Sequence, residues 1–275
     1  MGKRARPNGR TRTAGYSETQ VRRQGRAIEL FQLAFCQVAA ARLPLEDFAL
    51  KGGGNLRFFL RSRRRSADLD LDYLGRDFDR FAERVDEVLA ARPLAELLRM
   101  RDIQQLFEKR RAKDTDTVKR WKFQLTRPGM EQVSSKIEFS NRGSSAQAVL
   151  EQMDTELARQ HGGVAVRIRH YVPVAAIEQK VKALANRSQT EPRDVFDLDH
   201  LFRQYPEALA QAQPDPRTAR LAKDRAIEIP YADYETLVVE YLEEDFVDIY
   251  GTEQAWTDMV LRVVQQLEAK LGESR

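Results

Sequence analysis

The sequence predicts an α+β fold: a mixed-sheet lobe followed by a helical lobe. Three observations carry that expectation. Segments with the two-residue alternation of strands, around Leu69–Tyr73, Val118–Leu125 and Ser134–Ser140, all fall in the first two thirds of the chain. Helical periods are interleaved with them. From Ala176 to the end only helical periods remain. The 275 residues can bury a substantial core, as one large or two modest domains. The expected division is a basic flexible arm over residues 1–16, a sheet-bearing lobe over 17–172 and a helical lobe over 173–275.

The arm is polar and holds Pro7 and Gly9 among basic residues. Ser17 and Gln20 form a capping-box signature, and a helix is expected from there to about Arg42, with Ile28, Phe31, Phe35 and Val38 on its apolar face. Pro44 follows its end, and Phe48–Leu50 leads into the glycine triplet Gly52–Gly54. A short helical segment, Asn55–Arg61, fits between this turn and the strand that carries Asp68, Asp70 and Asp72. Phe78–Leu89 has helical period and Pro93 stops it. A second helical stretch is expected from Pro93 to Arg111. Val118–Leu125 and Ser134–Ser140 read as a hairpin around Pro128-Gly129, with a loop of moderate length. A polar loop, a short helix and a strand are expected between Asn141 and Val174. Helices follow at 176–185, 195–204, 217–225, 231–250 and 253–271, with Gly251 as a C-cap.

The net charge of +4 and pI near 9.2 permit a nucleic-acid partner. The charge is uneven: residues 1–27 carry eight Lys/Arg against one Glu, and residues 228–248 carry eight Asp/Glu with no Lys or Arg. Arg61, Arg63, Arg64 and Arg65 form a second basic run, which suits an RNA backbone. The single Cys36 excludes an intrachain disulfide and a cysteine-cluster metal site. The three histidines, His161, His170 and His200, match neither a nucleophile triad nor a zinc pattern. No apolar run reaches membrane length, and a cytoplasmic protein with no membrane partner is expected.

The chemistry centres on Leu50–Tyr73. In a strand, Asp68, Asp70 and Asp72 share one face, with Leu69 and Leu71 on the other. Neighbouring carboxylates then lie roughly 6–7 Å apart and repel by roughly 2–3 kcal/mol at an effective dielectric near 20. A divalent cation such as Mg²⁺ turns that repulsion into coordination and leaves room for phosphate oxygens. The glycines let backbone N–H groups approach an anion. A phosphate cradle before an Asp-x-Asp strand reads as phosphoryl or nucleotidyl transfer; the bland reading is a turn before a solvated edge strand. Glu138 lies in mid-strand, opposite in direction to Ile137 and Phe139. It is a third metal carboxylate, the partner of a cross-strand ion pair with Lys122, or a residue at a solvated edge.

KGGGNLR, followed by RRSADLDLD, resembles the AbiEii-type nucleotidyltransferases, toxins of type IV toxin–antitoxin and abortive-infection systems with a polymerase-β-like nucleotidyltransferase fold. Lys51, Gly52 and Gly53 match the family's turn; Arg64, Ser66, Asp68 and Asp70 match its strand. Gly54 stands where the family usually has Thr. Ile177–Phe202 supplies a third match through Lys180, Ala183, Arg187, Arg193, Asp194, Asp197 and Leu198. The resemblance implies metal-dependent (Mg²⁺ or Mn²⁺) transfer of NMP from an NTP to an acceptor, the tRNA 3′ end above all, and a cognate antitoxin encoded nearby. It implies Asp68 and Asp70 as metal ligands and catalytic residues, with Glu138 as third ligand. Lys51, Gly52–Asn55, Arg64, Ser66 and Arg193 are implied for nucleotide binding. Lys180 is implied to face the triphosphate, where the bland reading is a solvated helix lysine beside Lys182. Asp194 is implied to orient Lys180 or a ribose hydroxyl, where the bland reading is a helix N-terminal acid. Tyr73, Trp121 and Phe58 are the candidates for stacking on an RNA end, or core residues. Two other readings stay open: a protein-nucleotidylating enzyme, and a non-catalytic nucleotide- or RNA-binding module on the same scaffold.

Overall fold

The computed structural model describes residues 14–143 and 145–273. Residues 1–13, most of the expected basic arm, lie outside them. The first lobe runs through α1 (Ala14–Arg42), β1 (Phe48–Lys51), α2 (Gly52–Phe58), β2 (Leu69–Tyr73), α3 (Phe78–Leu89) and α4 (Arg92–Arg99). It continues through β3 (Gln104–Thr115), β4 (Val118–Arg127), β5 (Met130–Ser140), β6 (Ala148–Gln152), α5 (Thr155–Gln160) and β7 (Arg167–Tyr171). One seven-stranded sheet results, in the order β3-β4-β5-β2-β1-β7-β6. The pairs β2–β5 and β1–β7 are parallel and the others antiparallel.

The sheet has one apolar face. Leu69, Leu71, Ile137, Phe139 and Phe123 are buried beneath α1 and α3. Phe31 of α1 packs on Phe123 with ring centroids 4.3 Å apart, and Phe81 of α3 packs on Phe139 at 5.1 Å. Alternation then forces the polar set, Asp68, Asp70, Asp72, Lys136 and Glu138, onto the other face.

Several elements differ from expectation. α1 begins at Ala14, before Ser17. The glycine triplet is not a separate turn but the first turn of α2. The stretch expected as helix through Arg111 breaks after Arg99: Asp102 adopts φ 55°, and β3 pairs along β4 from Gln104. Backbone pairing in the sheet outweighs the local helical period there. The β4–β5 loop is tighter than expected, since Arg127 pairs with Met130 and Gly129 takes φ 71°. β6 was not legible, as its five residues show no clear alternation.

The second lobe comprises α6 (Pro173–Asn186), α7 (Pro192–Gln204), α8 (Pro206–Gln211), α9 (Pro216–Ile227) and α10 (Tyr231–Leu237). Short 3₁₀ turns at Val239–Tyr241 and Glu244–Phe246, then α11 (Val247–Tyr250) and α12 (Glu253–Glu273), complete it. The single helix expected over 231–250 is thus interrupted. Its core joins Val181, Leu184, Val195, Leu198, Trp256 and Met259 to Leu56 and Leu60 of the first lobe, so the lobes share packing.

A buried charge cluster reinforces the junction. Glu29 of α1 is 1% exposed and pairs with Arg57, with Arg65 at 3.3 Å and with His161 at 2.8 Å. Arg57 reaches Glu243 of the second lobe at 2.8 Å. Burial alone pushes the Glu29 carboxyl up, but the His161 hydrogen bond and the Arg57 charge outweigh it and hold it at about 2. A depressed folded-state pKa contributes stability that is present above the unfolded value and lost as pH falls through the folded one. We expect about 3 kcal/mol to disappear between pH about 4.5 and about 2. Urea unfolding across that range should show the loss in the native chain and its absence in Glu29→Gln.

Candidate active site

The polar face of the sheet and the helices α6 and α7 enclose a cleft of about 600 Å³. Its floor is set by strand register. Asp70 lies opposite Lys51 on β1 and opposite Glu138 on β5. Parallel neighbours are about 4.8 Å apart, so the carboxylates of Asp68, Asp70 and Glu138 share one surface, as their alternation requires.

The glycines are required by contact. Gly52 adopts φ 61°, and a Cβ there would lie 3.4 Å from Asp70 Oδ2. A Cβ at Gly53 would lie 2.5 Å from Ser66 Oγ. Only glycine lets the backbone approach the carboxylate strand this closely. Gly54 differs: a side chain there would meet Leu69 at 3.0 Å and Leu50 at 3.4 Å, so position 54 faces the core. Asn55, expected in the cradle, is buried outside the cleft, where it donates to the Tyr171 carbonyl at 2.9 Å and meets His170 Nδ1 at 2.9 Å.

The other residues divide by partner. Lys51 pairs with Asp72 at 2.5 Å, and the Tyr171 hydroxyl donates to Asp72 at 2.7 Å. Asp68 pairs with Lys136 at 3.0 Å. The Ser66 hydroxyl donates to the Asp68 carbonyl at 2.8 Å and so fixes the start of β2. Glu138 pairs with Arg120 at 2.5 Å, not with Lys122, because the tight turn sets Arg120 opposite Glu138 and Lys122 opposite Lys136. Asp70 has no ion-pair partner among the described residues. Burial, then the charges of Asp68 and Glu138, raise its carboxyl above the usual range against Lys136 and Lys51.

The helical wall is a chain of buried ion pairs. Lys180 meets Asp194 at 2.9 Å and Asp197 at 2.6 Å. Arg64 donates to Asp197 in bidentate fashion, Nη2 to Oδ2 at 2.9 Å and Nε to Oδ1 at 3.2 Å, and Arg187 binds Asp194 at 2.6 Å. Asp194 and Asp197 are fully buried. Burial raises Asp194 and Asp197, but the adjacent cations outweigh it and draw both below the ordinary carboxylate range. Lys180 is therefore a buried, oriented cation and not a solvated helix lysine. Lys182, expected on another helix face, also borders the cleft. Arg193 lines the cleft and pairs with Glu191 at 3.5 Å. Sequence reasoning passed over Asp197 as a partner for Arg64; the Arg-Asp-x-x-Asp spacing across α7 was the available signal.

Nine Lys/Arg side chains line the cleft against four carboxylates, and the balance stays positive with Asp194 and Asp197 counted. Such a surface suits a polyanion. The oxygen-only donors of Asp68 and Asp70, with the raised Asp70 carboxyl, fit a hard divalent cation that keeps much of its water. Among the described residues no three His, Cys, Asp or Glu side chains gather closely enough to enclose a metal by themselves. Tyr73, Trp121 and Phe58 are all core residues, at most 4% exposed, which removes them as stacking candidates. Among the described residues no helix is long and apolar enough to cross a membrane.

Solved structures share this architecture. JHP933 from Helicobacter pylori aligns with TM-score 0.54 and 19% identity over 91% of this chain and 93% of that one. A putative nucleotidyltransferase from H. pylori aligns with TM-score 0.53 and 19% identity, over 91% and 96%. MenT4, a nucleotidyltransferase toxin from Mycobacterium tuberculosis H37Rv, aligns with TM-score 0.55 and 16% identity, over 91% and 89%. At these identities the likeness establishes the fold. No curated protein matches the chain. The family model described as nucleotidyl transferase AbiEii toxin, type IV TA system, matches residues 37–271 and so takes in both walls of the cleft. The chain belongs to the AbiEii nucleotidyltransferase toxin family.

Proposed function

We propose that this nucleotidyltransferase transfers NMP from an NTP to the 3′ end of a tRNA, and that a cognate antitoxin counters this modification. The observation that carries the reading is the Asp70–Glu138 register on the floor of a cationic cleft, beside glycines that admit no side chain. Asp68 and Asp70 would hold Mg²⁺, or Mn²⁺, with Glu138 as the third carboxylate and phosphate oxygens and water completing the shell. When bound, the metal would supply charge stabilisation at the reacting phosphate. The Gly52–Gly53 backbone and Lys51 receive the terminal phosphates, and Arg187, Arg193 and Lys180 offset their charge. The acceptor 3′ oxygen bonds to the α-phosphorus, the bond to the α–β bridging oxygen breaks, pyrophosphate leaves, and the hydroxyl proton passes to solvent. The RNA acceptor is supported by the excess of cations in the cleft and by the basic residues 1–27.

The test is to incubate purified protein with total RNA and total protein, Mg²⁺ and each α-labelled NTP in turn. Label in the tRNA pool is expected. Label in the protein pool alone would favour protein nucleotidylation, and label in neither would favour the binding-module reading.

Glu138→Gln separates binding from chemistry. It keeps the shape and removes a charge beside the reacting centre, so single-turnover transfer should slow by about 10²-fold while NTP affinity changes by less than about threefold. A wild-type rate would leave Glu138 as no more than the partner of Arg120.

A further inference from the structure

The polar face of the sheet continues past the carboxylates. β1 lies on one side of them, with Lys51 and the glycines that follow it; β4 and β3 lie on the other. Register carries one row across the face: Lys51, Asp70, Glu138, Arg120 and Lys113 stand opposite one another in turn. The neighbouring row sets Lys122 directly opposite Lys136. α1 packs on β4 and β5 from the apolar side, and on the polar side Lys113 and Lys122 are exposed.

The cations of this region fall into two sets. Arg120 and Lys136 hold Glu138 and Asp68, while Arg111 and Lys119 hold Asp86 and Asp79. Lys113, Lys122 and Arg142 are exposed and, among the described residues, pair with no carboxylate. Like charges directly opposite on a sheet repel. Asp68 is engaged by Lys136, so Lys122 faces that repulsion without a counter-charge of its own. Folding gains nothing from the arrangement; a bound anion would relieve it. The spacing indicates which anion. Lys122 and Arg120 are two residues apart on one strand, hence roughly 6–7 Å, close to the separation of successive phosphates in a nucleic-acid strand. Lys113 stands one strand further out, and Arg142 follows the end of β5 and borders the cleft.

We propose that the polar face of β3–β5 is the docking track for the acceptor's RNA backbone, with Lys113, Lys122 and Arg142 on the phosphates that precede its reacting 3′ end. This rests on the reading of the acceptor as RNA and adds the side from which its end enters. The triphosphate takes the flank formed by Lys51, Gly52 and Gly53. The acceptor therefore reaches the carboxylates across β4 and β5, where the unpaired cations lie. RNA is favoured over a protein partner because protein interfaces are depleted in lysine, whereas a phosphodiester chain takes lysine and arginine at regular intervals. Phosphate contacts carry no base information, so this track sets affinity and direction and leaves the choice of sequence to other groups.

The experiment measures tRNA binding by fluorescence anisotropy, with Mg²⁺ and without NTP, over a range of salt concentrations. It compares wild type with the triple variant Lys113→Gln, Lys122→Gln, Arg142→Gln. A control triple, Arg80→Gln, Arg217→Gln, Arg220→Gln, removes the same charge from exposed positions elsewhere. The first triple should weaken tRNA binding about tenfold at low salt and lower the slope of log Kd against log salt by about two to three, with NTP affinity within about threefold of wild type. The control should change tRNA binding far less. Lys122→Glu separates docking from folding: it gains a cross-strand pair with Lys136, so its melting temperature should hold or rise while tRNA binding falls. Unchanged tRNA binding in the first triple overturns the proposal, and so does an equal loss in the control, which would reduce the effect to net charge. A first triple that binds tRNA normally but no longer retains a co-expressed antitoxin would give the face to a protein instead. Wild type that transfers NMP to tRNA beside a first triple that does so equally well would sink the track alone. Wild type that binds no tRNA would overturn the RNA reading of the acceptor, and the track with it.

Discussion

Asp70→Asn should lower NMP transfer by at least about 10²–10³-fold, and Asp68→Asn should do the same. Each removes one hard oxygen charge from the face proposed to hold the cation and leaves a side chain of the same shape. Stability should not fall in Asp70→Asn. Burial and the charges of Asp68 and Glu138 raise the Asp70 carboxyl, so ionising it costs more in the folded chain than in the unfolded one. A neutral amide relieves that repulsion, and the melting temperature should hold or rise. Asp72→Asn should be milder, because Lys51 and Tyr171 already occupy its oxygens. Single-turnover transfer and thermal melts on the same preparations check both parts. Near-wild-type Mg²⁺-dependent transfer in either Asp68→Asn or Asp70→Asn would remove the metal assignment.

Asp197→Ala should destabilise the protein by about 3–5 kcal/mol and abolish transfer as well. Asp197 is fully buried and joins Arg64 of the first lobe to Lys180 of the second. Removing it strands the buried Arg64, 5% exposed, and leaves Lys180 with Asp194 alone. Coulomb attraction to those cations draws Asp197 below the ordinary carboxylate range, so its contribution is complete at neutral pH. The same loss frees Arg64 and halves the hold on Lys180 in the wall of the cleft, which is why activity falls with stability. Lys182→Ala, an exposed change on the same cleft, should shift stability by less than about 0.5 kcal/mol. Urea unfolding midpoints for the two variants should differ clearly, and an Asp197→Ala chain as stable as wild type would show that the ion-pair chain does not hold the lobes.

What the sequence made legible was periodic and local. The Asp-x-Asp strand, the β4–β5 hairpin and the helices α6, α7, α9 and α12 follow from two-residue or 3.6-residue patterns, and the structure has them. What it hid was decided by partners distant in the chain. Gln104–Arg111 keeps a helical period but is drawn into the sheet by β4. The ionic partner of Glu138 depends on register, and a two-residue turn in place of a longer loop moves it from Lys122 to Arg120. Asn55 sits beside the glycines in sequence, yet helix α2 turns it toward His170 and Tyr171. Asp197 pairs with Arg64 across 133 positions, which no local pattern reports.

The most direct measurement pairs two labels and two acceptors. Purified protein, Mg²⁺ and tRNA are incubated with the preferred NTP labelled at either the α- or the γ-phosphate, using tRNA with an intact or a periodate-oxidised 3′ end. The account predicts α-label on intact tRNA, no γ-label, release of one pyrophosphate per transfer, and loss of both the α-label and the pyrophosphate on oxidised tRNA or with Asp70→Asn. Incorporation of γ-label, or α-label that persists on the oxidised end, would contradict nucleotidyl transfer to the 3′ hydroxyl.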